Sequence, residues 1–103
     1  MDKREIRFDG WHVDFASGEI SKDGRTQRLQ DQPLQILDEL TRQPGEVVTR
    51  EALLDSVWDY RGTPLTRTVD MHIAKLRKKI EPDPREPRYV LTVYGLGYKL
   101  AEA

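Results

Sequence analysis

Three prolines fall within six residues in Glu81-Pro82-Asp83-Pro84-Arg85-Glu86-Pro87, and neither a helix nor a central strand passes through such a segment. The chain is therefore cut in two at this point. Just before the cut, Val69, Ile73, Leu76 and Ile80 recur at spacings of 4, 3 and 4, the signature of a helix with one buried stripe. Just after it, Arg88 to Val93 and Tyr98 to Leu100 flank a turn around Gly95, which predicts a C-terminal β-hairpin over 88–101.

The remainder is read outward from that boundary. The stripe belongs to a helix from about Thr66 to Ile80. Asp59 to Leu65, with Gly62 and Pro64, is a loop in front of it. Thr49 caps an earlier helix whose inner stripe is Leu53, Leu54, Val57 and Trp58. Glu46-Val47-Val48 is an extended connector, and Gln43-Pro44-Gly45 stops a first helix that Asp31 caps. Leu34, Ile36, Leu37 and Leu40 form that helix's apolar face. Residues 1–30 read as a four-stranded antiparallel meander. Trp11, Val13 and Phe15 share one face of it, and Asp23-Gly24 is a hairpin turn. Such a sheet is marginal alone, so something must cover it, and the three helices lie at 31–81. The whole is an α+β fold in one domain, 1–103, long enough for a single core.

Charge is distributed unevenly. Residues 1–60 carry 8 basic and 13 acidic groups, and residues 61–103 carry 9 and 5, for a net charge of −1. The third helix concentrates the positive side, with five basic residues against Asp70 alone. Its outward face holds Arg67, Met71, Ala74, Lys75 and Lys78, with Thr68, His72, Arg77 and Lys79 on the flanks. Charged helix faces are often merely solvated. Here, however, the helix follows another by a short loop, mixes small side chains with its cations and precedes a hairpin. Two helices and a hairpin make a winged helix-turn-helix, in which the second helix enters the DNA major groove.

Three linked segments carry a family resemblance. They are Pro44-Gly45-Glu46-Val47-Val48-Thr49-Arg50-Glu51 with Val57-Trp58, then Arg67-Thr68-Val69-Asp70-Met71-His72-Ile73 with Leu76-Arg77-Lys78-Lys79-Ile80-Glu81, then Pro87-Arg88-Tyr89 with Thr92-Val93 and Gly95-Leu96-Gly97-Tyr98-Lys99-Leu100. The chain thereby resembles the OmpR/PhoB-type transcriptional regulator output domain along nearly its whole length. The resemblance implies sequence-specific binding of double-stranded DNA, commonly at tandem half-sites. The recognition helix would be Thr66–Ile80 and the wing Thr92–Tyr98. It implies phosphate or base contacts from Arg50, Trp58, Arg67, Thr68, His72, Lys75, Arg77, Lys78 and Thr92. Met71 and Ala74 are suited to thymine methyls. The Asp59–Leu65 loop would face RNA polymerase. At Tyr94 many relatives carry an arginine that enters the minor groove, and Ala74 is often basic; both departures weaken the expected grip.

Each assignment has a local alternative. Arg67 could pair with Asp70, His72 could bond within its own helix, and the lysines could simply be solvated. A winged helix that docks protein instead of DNA is the rival function, with the acidic N-terminal half as its surface. The resemblance also leaves open a response-regulator fragment without its receiver, a CadC/ToxR-like one-component regulator without its sensor, or a stand-alone protein. Met1 followed at once by the first strand suits an N-terminal position, and the isolated domain is expected to be monomeric off DNA.

Other chemistry finds little support. There are no cysteines, which removes disulfides and thiolate metal sites. Asp70 and His72 lie two apart on a helix and do not share a face, so no metal pair is expected. Gly95-Leu96-Gly97 lacks the third glycine and following helix of a nucleotide loop. No serine, histidine and acid stand in motif context, so neither an enzyme nor a cofactor is expected. No apolar run approaches the roughly 20 residues of a membrane span, and a cytoplasmic location is expected.

Overall fold

Two Asp-Gly pairs start the fold. Asp9-Gly10 and Asp23-Gly24 place consecutive residues at positive φ (44° and 83°, 54° and 78°), the backbone of a two-residue hairpin turn whose twist suits antiparallel strands. In the computed structural model, which describes residues 4–58 and 67–101, they join β1 (Glu5–Phe8) to β2 (Trp11–Asp14) and β3 (Glu19–Lys22) to β4 (Arg25–Arg28). The four strands form one antiparallel sheet in chain order. Val13 pairs with Ile20 in its register, and both are fully buried. Trp11 completes the inner face, and its indole N–H donates to the Ile80 carbonyl at 3.2 Å. Phe15 lies past the strand end, half-buried, with the Arg4 guanidinium 4.9 Å from its ring centre.

Three helices follow, and their buried residues share one core with this face. α1 (Asp31–Arg42) buries Pro33, Ile36, Leu37 and Leu40. The sequence expectation that Asp31 caps it needs correction. The cap residue is Gln30, whose carbonyl accepts from Leu34 N–H at 3.0 Å and whose side chain makes no capping bond. Asp31 is instead in the first turn, where its charge meets the positive helix end. α2 (Arg50–Val57) is capped by Thr49, whose hydroxyl accepts from Ala52 N–H at 3.0 Å. α3 (Arg67–Ile80) buries Val69, Ile73, Leu76 and Ile80, the stripe read from the spacing. Thr66 and the Asp59–Leu65 loop lie outside the described residues.

The C-terminal hairpin comprises β6 (Val90–Val93) and β7 (Gly97–Leu100), joined through Tyr94-Gly95-Leu96. The connector before α2 proves to be a strand as well. β5 (Val48–Thr49) pairs antiparallel with β7, so the sheet order is β5-β7-β6. Gly97 makes this possible: a Cβ there would sit 2.2 Å from the Val48 carbonyl oxygen. Among the described residues, no helix is long and apolar enough to cross a membrane.

Candidate nucleic-acid interface

Because the Val69–Ile80 stripe is buried, the opposite side of α3 has to face outward. Arg67, Met71, Ala74, Lys75 and Lys78 are exposed, with Met71 at 59%. None of Arg67, Lys75, Lys78 and Lys79 forms an ion pair with a described carboxylate. Asp70, the partner weighed for Arg67, is engaged elsewhere. Arg50 grips it with Nε at 3.1 Å and Nη2 at 2.5 Å, and the Tyr98 hydroxyl donates to it at 2.6 Å. One carboxylate thus joins α2, α3 and β7.

Arg77 is committed to the protein. Its Nε and Nη2 donate to the Val90 carbonyl at 3.1 and 2.9 Å, and Nη2 donates to the Thr92 hydroxyl at 2.8 Å. Its guanidinium also lies 5.5 Å from the Tyr98 ring centre. Arg77 therefore braces the hairpin against α3 rather than reaching outward, and Arg50 is likewise tied to Asp70. Sequence pattern assigns a face, but it does not say where a long side chain folds.

His72 is half-buried, with Nδ1 2.9 Å from the Thr68 carbonyl. A carbonyl only accepts, so Nδ1 carries the proton. Nε2 can then donate to a phosphate only in the imidazolium form. The ring stacks edge-on against half-buried Trp58, centroids 5.2 Å apart. Thr68 is half-buried at the start of the helix. Thr92 is exposed, and Tyr94 stands at the hairpin tip, 91% exposed, beside Leu96 at 56%. The main-chain N–H of Arg50 donates to the Leu96 carbonyl at 3.4 Å, so the tip is anchored to the start of α2. A groove lined by Arg50, Asp70 and the Thr92–Tyr98 strip separates α3 from the hairpin. Among the described residues no cluster of three metal-ligating side chains occurs.

Two residues that position this surface stand in the sequence motifs without a role assigned to them. Tyr98 is one; the other is Glu81, 6% exposed, whose carboxylate accepts from the main-chain N–H groups of Arg88, Tyr89 and Val90. A carboxylate directly after a helix end opposes the dipole. That mismatch was the available signal that Glu81 serves something beyond the helix.

Burial, and then the bond to Asp70, push the Tyr98 phenol up to about 12 from 10.0. Burial and the bond to Asp9 also raise Tyr89. A phenol raised on folding favours the folded state fully below its unfolded value. That support is lost as pH climbs from 10 through about 12. Tyr98→Phe should remove about 1.5–3 kcal/mol at neutral pH, the worth of a hydrogen bond to a charged group. It should also flatten the decline in urea midpoint between pH 10 and 12, leaving only the part due to Tyr89. A variant that tracks the parent through that window would contradict this placement of the phenol.

The sequence matches the family "Transcriptional regulatory protein, C terminal" over residues 24–100. It is 40% identical over 87 residues to the DNA-binding response regulator MtrA of Mycobacterium tuberculosis, which covers 84% of this chain and 38% of that protein. The chain thus spans under two fifths of the length of this curated relative. The fold is similar to the DNA-binding domain of Escherichia coli CadC, with a TM-score of 0.81 and 32% identity over 96% of this chain and 94% of that one. It is also similar to the Klebsiella pneumoniae RstA DNA-binding domain solved in complex with the RstA box (TM-score 0.79, 30% identity, 95% and 97% covered).

Proposed function

Since the chain belongs to the C-terminal family of transcriptional regulatory proteins, of OmpR/PhoB type, we propose that it binds double-stranded DNA as the output domain of a transcriptional regulator. The observation that carries this reading is the exposed face of α3. Its cations lack partners among the described carboxylates, and the adjacent hairpin is fixed against it by Arg77 and Asp70. Such a face offers phosphate contacts for affinity and close approach for base reading.

Within that reading the roles divide by placement. Arg67, Lys75 and Lys78 point outward and supply charge. Thr68, Met71 and Ala74 are small or soft enough to meet base edges. His72 and Trp58 reach a phosphate at the flank. Arg50 and Arg77 act chiefly by holding the frame, and Arg50 retains enough exposure to share a phosphate with Thr92. The wing, with Tyr94 at its tip, approaches the minor groove without a charge to place in it. Binding occurs at tandem half-sites on the cytoplasmic side of the cell. A receiver or sensor region supplies the signal, and the Asp59–Leu65 loop contacts RNA polymerase.

Selection of duplexes from a randomised library at low salt tests this function. The expected result is one enriched motif, in two copies about one helical turn apart. Lys75→Ala should weaken selected and unselected duplexes alike, several-fold at low salt, and flatten the salt dependence, as the loss of a phosphate contact does. Tyr94→Arg should tighten binding to A·T-flanked sites, since a narrow A·T minor groove attracts arginine. Unchanged affinity in Tyr94→Arg would remove the wing from the groove. If no motif is enriched and binding shows no salt dependence, a protein partner for the acidic N-terminal half replaces DNA.

A further inference from the structure

Beyond the outward face, the C-terminal half of α3 borders a cleft against the end of β4. Lys75, Lys78 and Lys79 line it from α3, together with Arg28, Leu29, Gln30 and Pro33. Among the described residues, no carboxylate lines it. Glu19 is the cross-strand neighbour of Arg28, and Asp31 shares an adjoining cleft with it, but neither forms an ion pair with it. Four cations from two elements around one opening repel one another until an anion enters. Arg28 lies on β4, an exposed edge strand, and an arginine there also discourages strand addition. That role accounts for one cation but not for three lysines converging on it from another element.

The cleft continues the DNA-facing surface, because Lys75 and Lys78 belong to both. From Arg67 to Lys79 the helix rises about 18 Å, whereas the major groove is about 12 Å wide. A helix that enters the groove near Arg67 therefore emerges over the other wall near Lys79. We propose that this cleft holds a phosphate of the DNA backbone across the groove from Arg67 and His72, with Arg28 and Lys79 as its anchors. The proposal rests on the reading of α3 as the groove helix. It assigns β4, an element outside the helix-turn-helix, a direct part in DNA affinity.

Salt titration of the 103-residue chain on a fluorescein-labelled random-sequence duplex tests it. Each phosphate neutralised contributes about 0.9 to the slope of log K against log salt. The Arg28→Ala/Lys79→Ala double variant should flatten the slope by about that amount and weaken binding several-fold, and each single alanine variant by part of it, equally on random and selected duplexes. Arg28→Lys should retain the slope. Both positions are exposed, so the variants should melt with the parent. A slope and affinity equal to the parent in the double variant overturn the cleft and leave the helix reading intact. A parent chain with no salt-dependent duplex binding overturns both.

Discussion

Glu81→Ala should lower the stability of the chain by about 3–5 kcal/mol, a large share of the 5–15 kcal/mol that holds a domain of this size together. The carboxylate accepts from Arg88 N–H at 2.7 Å, from Val90 N–H at 2.8 Å and, through both oxygens, from Tyr89 N–H at 3.1 and 3.0 Å. Tyr89 and Val90 are buried, so water cannot replace the lost acceptor for their amides. Each buried donor left unmade costs about 1–3 kcal/mol. The Arg88 amide, on an exposed residue, contributes less. Urea unfolding should show a lower midpoint with an unchanged m-value, because the change is in stability rather than in surface exposed. Glu81→Gln should fall between the two, since its amide keeps one acceptor oxygen and turns a donor toward the remaining amides. An alanine variant within about 1 kcal/mol of the parent would mean that Glu81 does not hold β6.

Gly97→Ala should be comparably damaging, for a different reason. The added methyl would lie 2.2 Å from the Val48 oxygen, 2.8 Å from Thr49 Cα and 3.0 Å from the Val48 carbonyl carbon. All three are backbone atoms, so no side chain can swing aside. β5 must separate from β7, breaking the pairs Val48 with Tyr98 and Thr49 with Gly97. Thr49 caps α2 and the next residue grips Asp70, so the damage extends to the brace between α3 and the wing. The expected loss is about 3 kcal/mol or more, above the usual range for overpacking because backbone has to yield. DNA affinity should fall further than the unfolded fraction explains. Gly95→Ala is the control. Its Cβ would meet nothing within 4 Å, but φ is +79°. The cost there should be about 1–2 kcal/mol of backbone strain. Equal losses at the two glycines would contradict the close approach of β5 to β7.

Glu81 and Gly97 also mark where sequence reasoning stops. The elements with strong local signals were legible: the Asp23-Gly24 turn, the Thr49 cap and the Val69-Ile73-Leu76-Ile80 stripe each need only a short window. β5 was not, because two residues show no period and its partner lies about fifty residues away. Asp70 was visible as an isolated acid among cations, but its partners Arg50 and Tyr98 are 20 and 28 residues distant. The same limit applied to the arginines. Arg77 and Arg67 belong to one cationic helix, yet only Arg67 keeps its guanidinium outward, because the Val90 carbonyl and Tyr98 ring capture the other. At Asp31 the residue type suited a cap, but the chain enters the helix one residue earlier. The candidate surface was therefore legible as a face and a charge, whereas the division between contact and brace required the tertiary structure.

On the proposed function, the outward face of α3 and the adjoining wing form the DNA-binding surface. Titrating ¹⁵N-labelled chain with the selected duplex and following every amide resonance tests it most directly. The predicted result is a continuous set of shifted amides at Arg67, Thr68, Met71, His72, Lys75 and Lys78 and along Thr92–Gly95, with β1 to β3 unmoved. Shifts confined to β1 to β3, with α3 and the wing silent, would contradict it and make the N-terminal sheet the binding surface.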